Sequence, residues 1–323
     1  MSEKRFDVVA LGELLIDFTE NGISGQGNTI YEANPGGAPC NVLAMLNKLG
    51  HKTAFMGKVG EDIFGRKLKG VLDEVGIDTS GMLIDKDVRT TLAFVQTFAD
   101  GDRDFSFYRN PGADMMLKEG ELKKELLEQC YIFHFGTLSM THDEVRKATK
   151  KAIALAKENG AVISFDPNLR PPLWSSLDLA KEQVRYGLQQ CDVLKISDNE
   201  IQWFTGKEDF DEGIKVLQDT YHIPLILLSM GRDGSRAYYK GLRVEQAPYL
   251  QENTIETTGA GDTFGGSCLH FVLKYGLEGL DEAKLREMLA FANASASLIT
   301  TRKGALRVMP DAAEVEALLQ SRR

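Results

Sequence analysis

The run Glu256-Thr257-Thr258-Gly259-Ala260-Gly261-Asp262-Thr263-Phe264-Gly265-Gly266 sets an acid directly behind a cradle for an anion. Thr and Gly residues give way to an apolar-periodic stretch through Phe264, Cys268, Phe271 and Val272, so the segment reads as a loop entering a helix. A helix N-terminus offers unpaired N–H groups and a partial positive charge. The small residues Gly259, Ala260 and Gly261 let a phosphate approach the backbone closely. A P-loop would continue with Lys and a hydroxyl residue, but here Asp262 and Thr263 follow. A carboxylate cannot clamp a polyphosphate, yet it can take the proton of a hydroxyl that attacks one. An anion hole beside a base is the minimal equipment for phosphoryl transfer to an alcohol. The helix-terminal field is expected to lower the Asp262 pKa and keep it ionised.

Two other readings of this loop compete. A dinucleotide fingerprint would need Gly where Phe264 stands. A plain Gly-rich turn with a helix-start acid fits the same residues.

Further residues have local readings of the same kind. Asp17 follows the first apolar run by a few residues, where ligands bind at the carboxyl ends of α/β strands, and it could accept bonds from two neighbouring hydroxyls or simply cap a helix or close a turn. Gly36 and Gly37 allow close backbone approach, and Asn41 supplies donor and acceptor; an N-cap turn without a ligand reads equally well. Arg109 and Arg170 lie beside Asn and Pro in loops and offer planar donor forks, as surface arginines also do. Asp166 and Asn168 end a strand, where they could support a site from behind or hold a metal-bound water. Lys195 either reaches a phosphate or is a strand-end lysine. Ser197-Asp198-Asn199-Glu200 reads locally as a helix start with acids in its first turn, and Ser229-Met230-Gly231-Arg232-Asp233-Gly234 as a turn after a strand.

The elements that must position these residues follow from periodicity. Short apolar runs predict strands over Phe6–Leu11, Thr53–Val59, Tyr131–Phe135, Ala161–Phe165, Asp192–Ile196 and Leu225–Ser229. Amphipathic runs predict helices over Asn41–Leu49, Phe64–Val75, Asp143–Glu158, Asp178–Gln190, Gly213–Tyr221, Gly261–Tyr275, Ala283–Leu298 and Ala312–Gln320. This alternation argues an α/β fold with a mainly parallel sheet. Residues 13–35 and 89–112 break the rhythm. Thr90–Phe98 and Phe105–Arg109 read as strands joined by an Ala99-Asp100-Gly101-Asp102 turn, so a small β lid from two separated segments is expected. Pairing two such lids would hide their sticky edges.

Composition limits the function. The 323 residues are 43% hydrophobic and 26% charged, ordinary globular values. A net charge of −9 argues against a nucleic-acid partner. No apolar stretch approaches the ~20 residues that span a membrane. The first residues carry no signal-like apolar segment, and Cys40, Cys130, Cys191 and Cys268 are scattered in apolar contexts, so a cytoplasmic protein with reduced thiols is expected.

Thr257-Thr258-Gly259-Ala260-Gly261-Asp262 resembles the C-terminal motif of the ribokinase-like (PfkB) sugar kinases, and Pro35-Gly36-Gly37-Ala38-Pro39-Cys40-Asn41-Val42-Leu43-Ala44 resembles their N-terminal motif. The resemblance covers essentially the whole chain. Gly12–Phe18, Phe107–Asp114 and Phe165–Arg170 are similar to stretches of bacterial and plant fructokinases. It implies one ribokinase-like domain over 1–323, a three-layer α/β/α sandwich whose lid, 13–35 and 89–112, covers the sugar and can join two copies as a homodimer. It also implies an ATP-dependent kinase acting on a primary hydroxyl, with fructose phosphorylated at O6. Asp262 would be the base and Gly259–Gly261 the anion hole. Asp17, Gly36, Gly37, Asn41, Arg109 and Arg170 would bind the sugar, and Lys195, Ser229, Gly231, Gly234 and Asn293 the ATP. Glu200 would hold Mg²⁺ through water in the family's Asn-x-x-Glu motif, although Ser197 replaces the Asn. Glu256, Thr258, Ile299, Arg302 and Gly304 would form a K⁺ nest, departing from the family's pattern at Glu256 and Val308. 2-Keto-3-deoxygluconate and ribosyl-nucleoside kinases are alternatives; deoxygluconate carries a carboxylate that Arg109 and Arg170 could read. A non-catalytic sugar- or nucleotide-binding regulator is disfavoured by the intact acid beside the anion hole.

Overall fold

A computed structural model describes residues 4–97 and 103–322. In chain order the strands are β1 (Phe6–Leu11), β2 (Leu15–Ile23), β3 (Thr29–Gly36), β4 (Thr53–Gly60), β5 (Asp78–Asp85), β6 (Leu92–Thr97), β7 (Arg103–Tyr108), β8 (Cys130–Gly136), β9 (Val162–Asp166), β10 (Val193–Ser197), β11 (Leu225–Ser229), β12 (Ser235–Tyr239) and β13 (Leu242–Gln246). The helices are α1 (Ala38–Lys48), α2 (Ile63–Glu74), α3 (Lys124–Glu128), α4 (Asp143–Glu158), α5 (Leu177–Gln190), α6 (Asp198–Thr205), α7 (Phe210–Tyr221), α8 (Ala260–Tyr275), α9 (Glu282–Ile299) and α10 (Ala312–Ser321).

The large sheet runs β13-β12-β11-β10-β9-β8-β1-β4-β5. From β11 to β5 every pair is parallel; only β11-β12-β13 is antiparallel. Strands buried on both faces explain the near-continuous apolar runs. Within β1, Val8 and Ala10 face one apolar layer with residues of α1, α8, α9 and α10, while Val9 and Leu11 face the other with residues of α4, α5 and α7. The result is the expected three-layer sandwich. All four described cysteines are free and buried, and no helix among the described residues is long and apolar enough to cross a membrane.

The small sheet runs β3-β2-β6-β7, with β2 and β6 parallel and its other pairs antiparallel. Its strands come from the two segments that break the helical rhythm. The Ala99–Asp102 turn lies outside the described residues. The sequence reading missed β5, whose Asp, Thr, Ser and Gly content suits a half-exposed edge. It also missed the β12-β13 hairpin, whose Lys240-Gly241 turn has both residues at positive φ. Short helix α3 went unread because a turn or two carries little periodicity, and of α6 only the start was read as an alternative.

Candidate active site

The loop Thr257–Gly259 delivers α8 to the carboxyl end of the large sheet. Gly259 is the helix N-cap at φ 75, a left-handed conformation that favours glycine, and no side chain caps the helix. Ala260 N–H donates to Thr257 O at 3.2 Å, closing the turn. That corrects the expected anion hole at Ala260, whose N–H closes the turn, and adds the first-turn N–H of Asp262 to those of Gly259 and Gly261. A methyl placed on Gly261 would lie 3.2 Å from Lys195 Nζ, so a lysine ammonium borders the same spot.

Asp262 is buried in the first turn of α8, and its Oδ2 accepts from Asn41 Nδ2 at 2.7 Å. Burial pushes its carboxyl above the ordinary value, against the Asn41 bond and the charges of Lys195 and Arg170. The expected lowering by the helix terminus is thereby reversed in direction, because desolvation penalises the ionised form. Asn41 Oδ1 is buried and has no protein partner.

Asp17 lies on β2 opposite Asn34, its Oδ2 only 2.5 Å from where a Cβ on Gly36 would sit. Only glycine at 36 leaves that carboxylate its room. Burial raises Asp17 to about 7, opposed by Arg170 and reinforced by Glu256 and Asp262. Asp166, at the end of β9, is likewise raised by burial to about 7, opposed by Lys195. Its carboxylate holds Lys195 Nζ at 3.0 Å in a buried pair. Asp17, Asp166 and Asp262 thus share one electrostatic neighbourhood with Arg170 and Lys195. Because Asp17 keeps a proton that the unfolded chain has released, its ionisation works against folding as pH rises from about 4 towards 7.

A second compartment opens on the other side of the α8 N-terminus. A cleft of about 400 Å³ is lined by Ser229, Gly231, Gly234, Tyr249, Gly261 and Asn293, among others. Asn293 accepts from Ser235 Oγ at 2.8 Å and donates to the carbonyls of Gln246 and Ala247, both at 3.1 Å. It therefore shapes the cleft wall rather than offering a free amide.

Arg109 requires a correction. Its guanidinium is buried and committed to protein: Nε donates to Asp114 Oδ2 at 2.8 Å, Nη1 to Thr141 Oγ1 at 2.8 Å and Nη2 to Leu138 O at 3.0 Å. It braces the chain after β7 and is not presented to a ligand. Arg170, by contrast, acts electrostatically on both Asp17 and Asp262. Glu200 is also more occupied than expected. Oε1 accepts from Leu169 N at 2.7 Å, and Oε2 accepts from Ser197 N at 2.9 Å and Ser197 Oγ at 2.8 Å. These bonds form a capping box at a helix start, and the helix start with acids in its first turn was the local alternative read from sequence, so a metal-bound water would have to share an oxygen. Among the described residues no cluster of three His, Cys, Asp or Glu side chains could hold a metal. A divalent ion would therefore depend on phosphate oxygens for most of its ligands.

The two segments of the cation nest do lie together. Thr300 O accepts from Ile255 N at 2.8 Å and Glu256 N at 3.2 Å, and Glu256 Oε1 accepts from Gly304 N at 2.7 Å. Ile299 O accepts from Arg302 N at 3.1 Å. Thr300 O is thereby taken up by two N–H donors, and Glu256 Oε1 is tied to Gly304, so neither oxygen is free for a cation. The sequence reading missed the buried polar groups Glu13, Thr91 and Asp114, although Glu13 and Asp114 fall inside the stretches quoted above.

The description "pfkB family carbohydrate kinase" belongs to the family model that matches residues 5–312. Fructokinase-2 of Solanum lycopersicum is 40% identical over 315 residues, 97% of this chain and 96% of that protein. The crystal structure of fructokinase with bound ATP from Xylella fastidiosa superposes with a TM-score of 0.89 at 29% identity, covering 98% of each chain. A fructokinase double mutant from Vibrio cholerae O395, in fructose, ADP and potassium ion bound form, gives 0.87 at 30% identity over 99% of this chain and all of that one (100%).

Proposed function

This chain belongs to the pfkB family of carbohydrate kinases, and from that premise we propose that it transfers the γ-phosphate of ATP to the primary O6 hydroxyl of D-fructose. The observation that carries the proposal is the meeting at one helix start of a buried carboxylate, unpaired N–H groups and an open cleft. Asp262 and Asn41 face the side that holds Asp17; the 400 Å³ cleft opens on the other.

Fructose would bind with its hydroxyls on Asp17 and on the unpartnered Asn41 Oδ1, since a buried acceptor left unmet costs free energy. Asp262 takes the O6 proton as that oxygen bonds to phosphorus. The N–H groups of Gly261 and Asp262, with Lys195 beside them, meet the charge spreading over the transferring group. Magnesium arrives with the triphosphate and neutralises it. The small sheet, from 13–35 and 89–112, would close over the sugar and exclude water.

Wild-type protein should release ADP when given fructose and MgATP. Asp17→Ala should raise the fructose KM and lower kcat/KM, at roughly 1–3 kcal/mol for each hydroxyl left unmet, with nucleotide affinity measured without sugar unchanged. Unaltered fructose kinetics would remove Asp17 from the sugar site. Potassium should stimulate turnover through Glu256, Thr258, Ile299, Arg302 and Gly304; equal rates in K⁺ and Na⁺ across a dialysed titration would dismiss the nest.

The four free, buried thiols support a cytoplasmic enzyme. A homodimer through the small sheet is supported by its aromatic face. Phe94 stacks on Phe18 at 4.8 Å and meets Tyr31 and Tyr108 edgewise, while Tyr108 is 66% exposed. Sedimentation velocity showing a monomer at all concentrations would contradict it.

A further inference from the structure

Glu13 lies in the link between β1 and β2, buried at 4% exposure, and none of the roles above uses it. Its Oε1 accepts from Ala38 N at 2.8 Å. Ala38 opens α1, whose own N-cap residue is Gly37 and supplies no side-chain cap. The capping acceptor therefore comes from a different chain segment. Backbone contact reinforces the join: a Cβ on Gly37, which stands at φ 132, would fall 2.4 Å from Glu13 O. So the link that leads from the large sheet into β2 is fastened to the link that leads from β3 back into α1.

One turn further along α1, Asn41 donates to Asp262. The first turn of α1 is thus bonded to the small sheet's attachment on one side and to the acid at the start of α8 on the other. The second pair of links meets the same place. Arg109, just after β7, and Asp114 both act electrostatically on Glu13, and Asp114 Oδ1 accepts from Thr91 Oγ1, just before β6, at 2.5 Å. All four chain crossings to the small sheet converge on this polar knot.

We propose that Glu13 is a positioning residue: by fixing the first turn of α1 against the attachment of the small sheet, it couples the placement of that sheet to the placement of Asn41 and Asp262. The proposal rests on the kinase reading above, so its test carries one arm that needs no turnover. A simple structural cap would stabilise the fold without affecting each folded site. A positioning group moves the base when it is shortened, and misplacement by about 1 Å can cost about 10²-fold in rate.

Two variants separate the bond from the ionisable group. Glu13→Asp keeps a carboxyl group but is one methylene too short to reach Ala38 N, whereas Glu13→Gln keeps the acceptor oxygen and removes the ionisable group. Both are well short of deleting the side chain, so both are expected to fold. Glu13→Asp should lower fructose kcat and raise fructose KM, for a loss in kcat/KM approaching 10²-fold, with nucleotide affinity in the absence of sugar retained. Glu13→Gln should restore kinetics close to wild type. In the substrate-free protein, deuterium uptake should rise in Glu13→Asp over residues 36–44 and also over 259–266, and return in Glu13→Gln. Increased uptake confined to 36–44 would overturn the proposal, whatever the enzyme's substrate. So would folded Glu13→Asp with wild-type kcat and KM, or a loss that Glu13→Gln shares in full.

Discussion

Asp262→Asn should lower fructose turnover by about 10²–10⁴-fold, the range for loss of a general base, while leaving ATP affinity nearly intact. The substitution keeps the size and the position opposite Asn41, so the loss is chemical rather than architectural. Asparagine cannot accept the O6 proton, and the attacking oxygen would have to carry it into the transition state. The raised pKa adds a second expectation. Burial holds the Asp262 carboxyl above the ordinary aspartate range, so the acid limb of kcat/KM should fall at a higher pH than an exposed aspartate would give. A base whose pKa lies nearer the working pH is also the better proton acceptor. Folded Asp262→Asn protein with turnover near wild type would remove this residue from the mechanism.

The second large effect concerns stability. Asp114→Ala should destabilise the protein by about 3–5 kcal/mol, because it leaves the Arg109 guanidinium buried without its counter-charge. Both side chains are only 2% exposed, so water cannot take the carboxylate's place. Thr91 Oγ1 loses its acceptor as well. Urea denaturation of the two proteins measures the loss as a shift in midpoint at unchanged slope. Asp114→Ala with wild-type stability and an altered sugar KM would show instead that Arg109 belongs to the sugar site.

These two residues mark what the sequence could disclose. The place of Asp262 was legible because its signal is local: a run of small residues, an acid and the start of a helix lie within one short stretch. The large sheet was legible for a similar reason, since β1 and β11 are apolar on both faces and bounded by polar links. Arg109 was misread because its partners lie in two later segments, Asp114 and the Leu138–Thr141 turn, and nothing local marks a guanidinium as already taken. Glu200 shows the opposite case. The local reading placed a helix start here with acids in its first turn, and α6 does start here, with Ser197 and Glu200 bonded as a capping box that the reading did not name. The direction of the Asp262 shift could not be read either, because the burial that sets it comes from packing against segments far away in sequence, Asn41 of α1 among them. Glu13 was hidden for the same reason: its acceptor role exists only once β3 has returned the chain to Ala38.

One measurement tests the central claim most directly. ADP release is followed with fructose, ribose, 2-keto-3-deoxygluconate, adenosine and aminoimidazole riboside under identical MgATP, and the phosphorus-to-proton coupling of the favoured product locates its phosphate. Fructose should give the highest kcat/KM, with the phosphate on O6. A higher value for deoxygluconate would contradict the fructose assignment and make Arg170 a carboxylate reader, and tight sugar binding with no ADP from any acceptor would contradict the kinase itself.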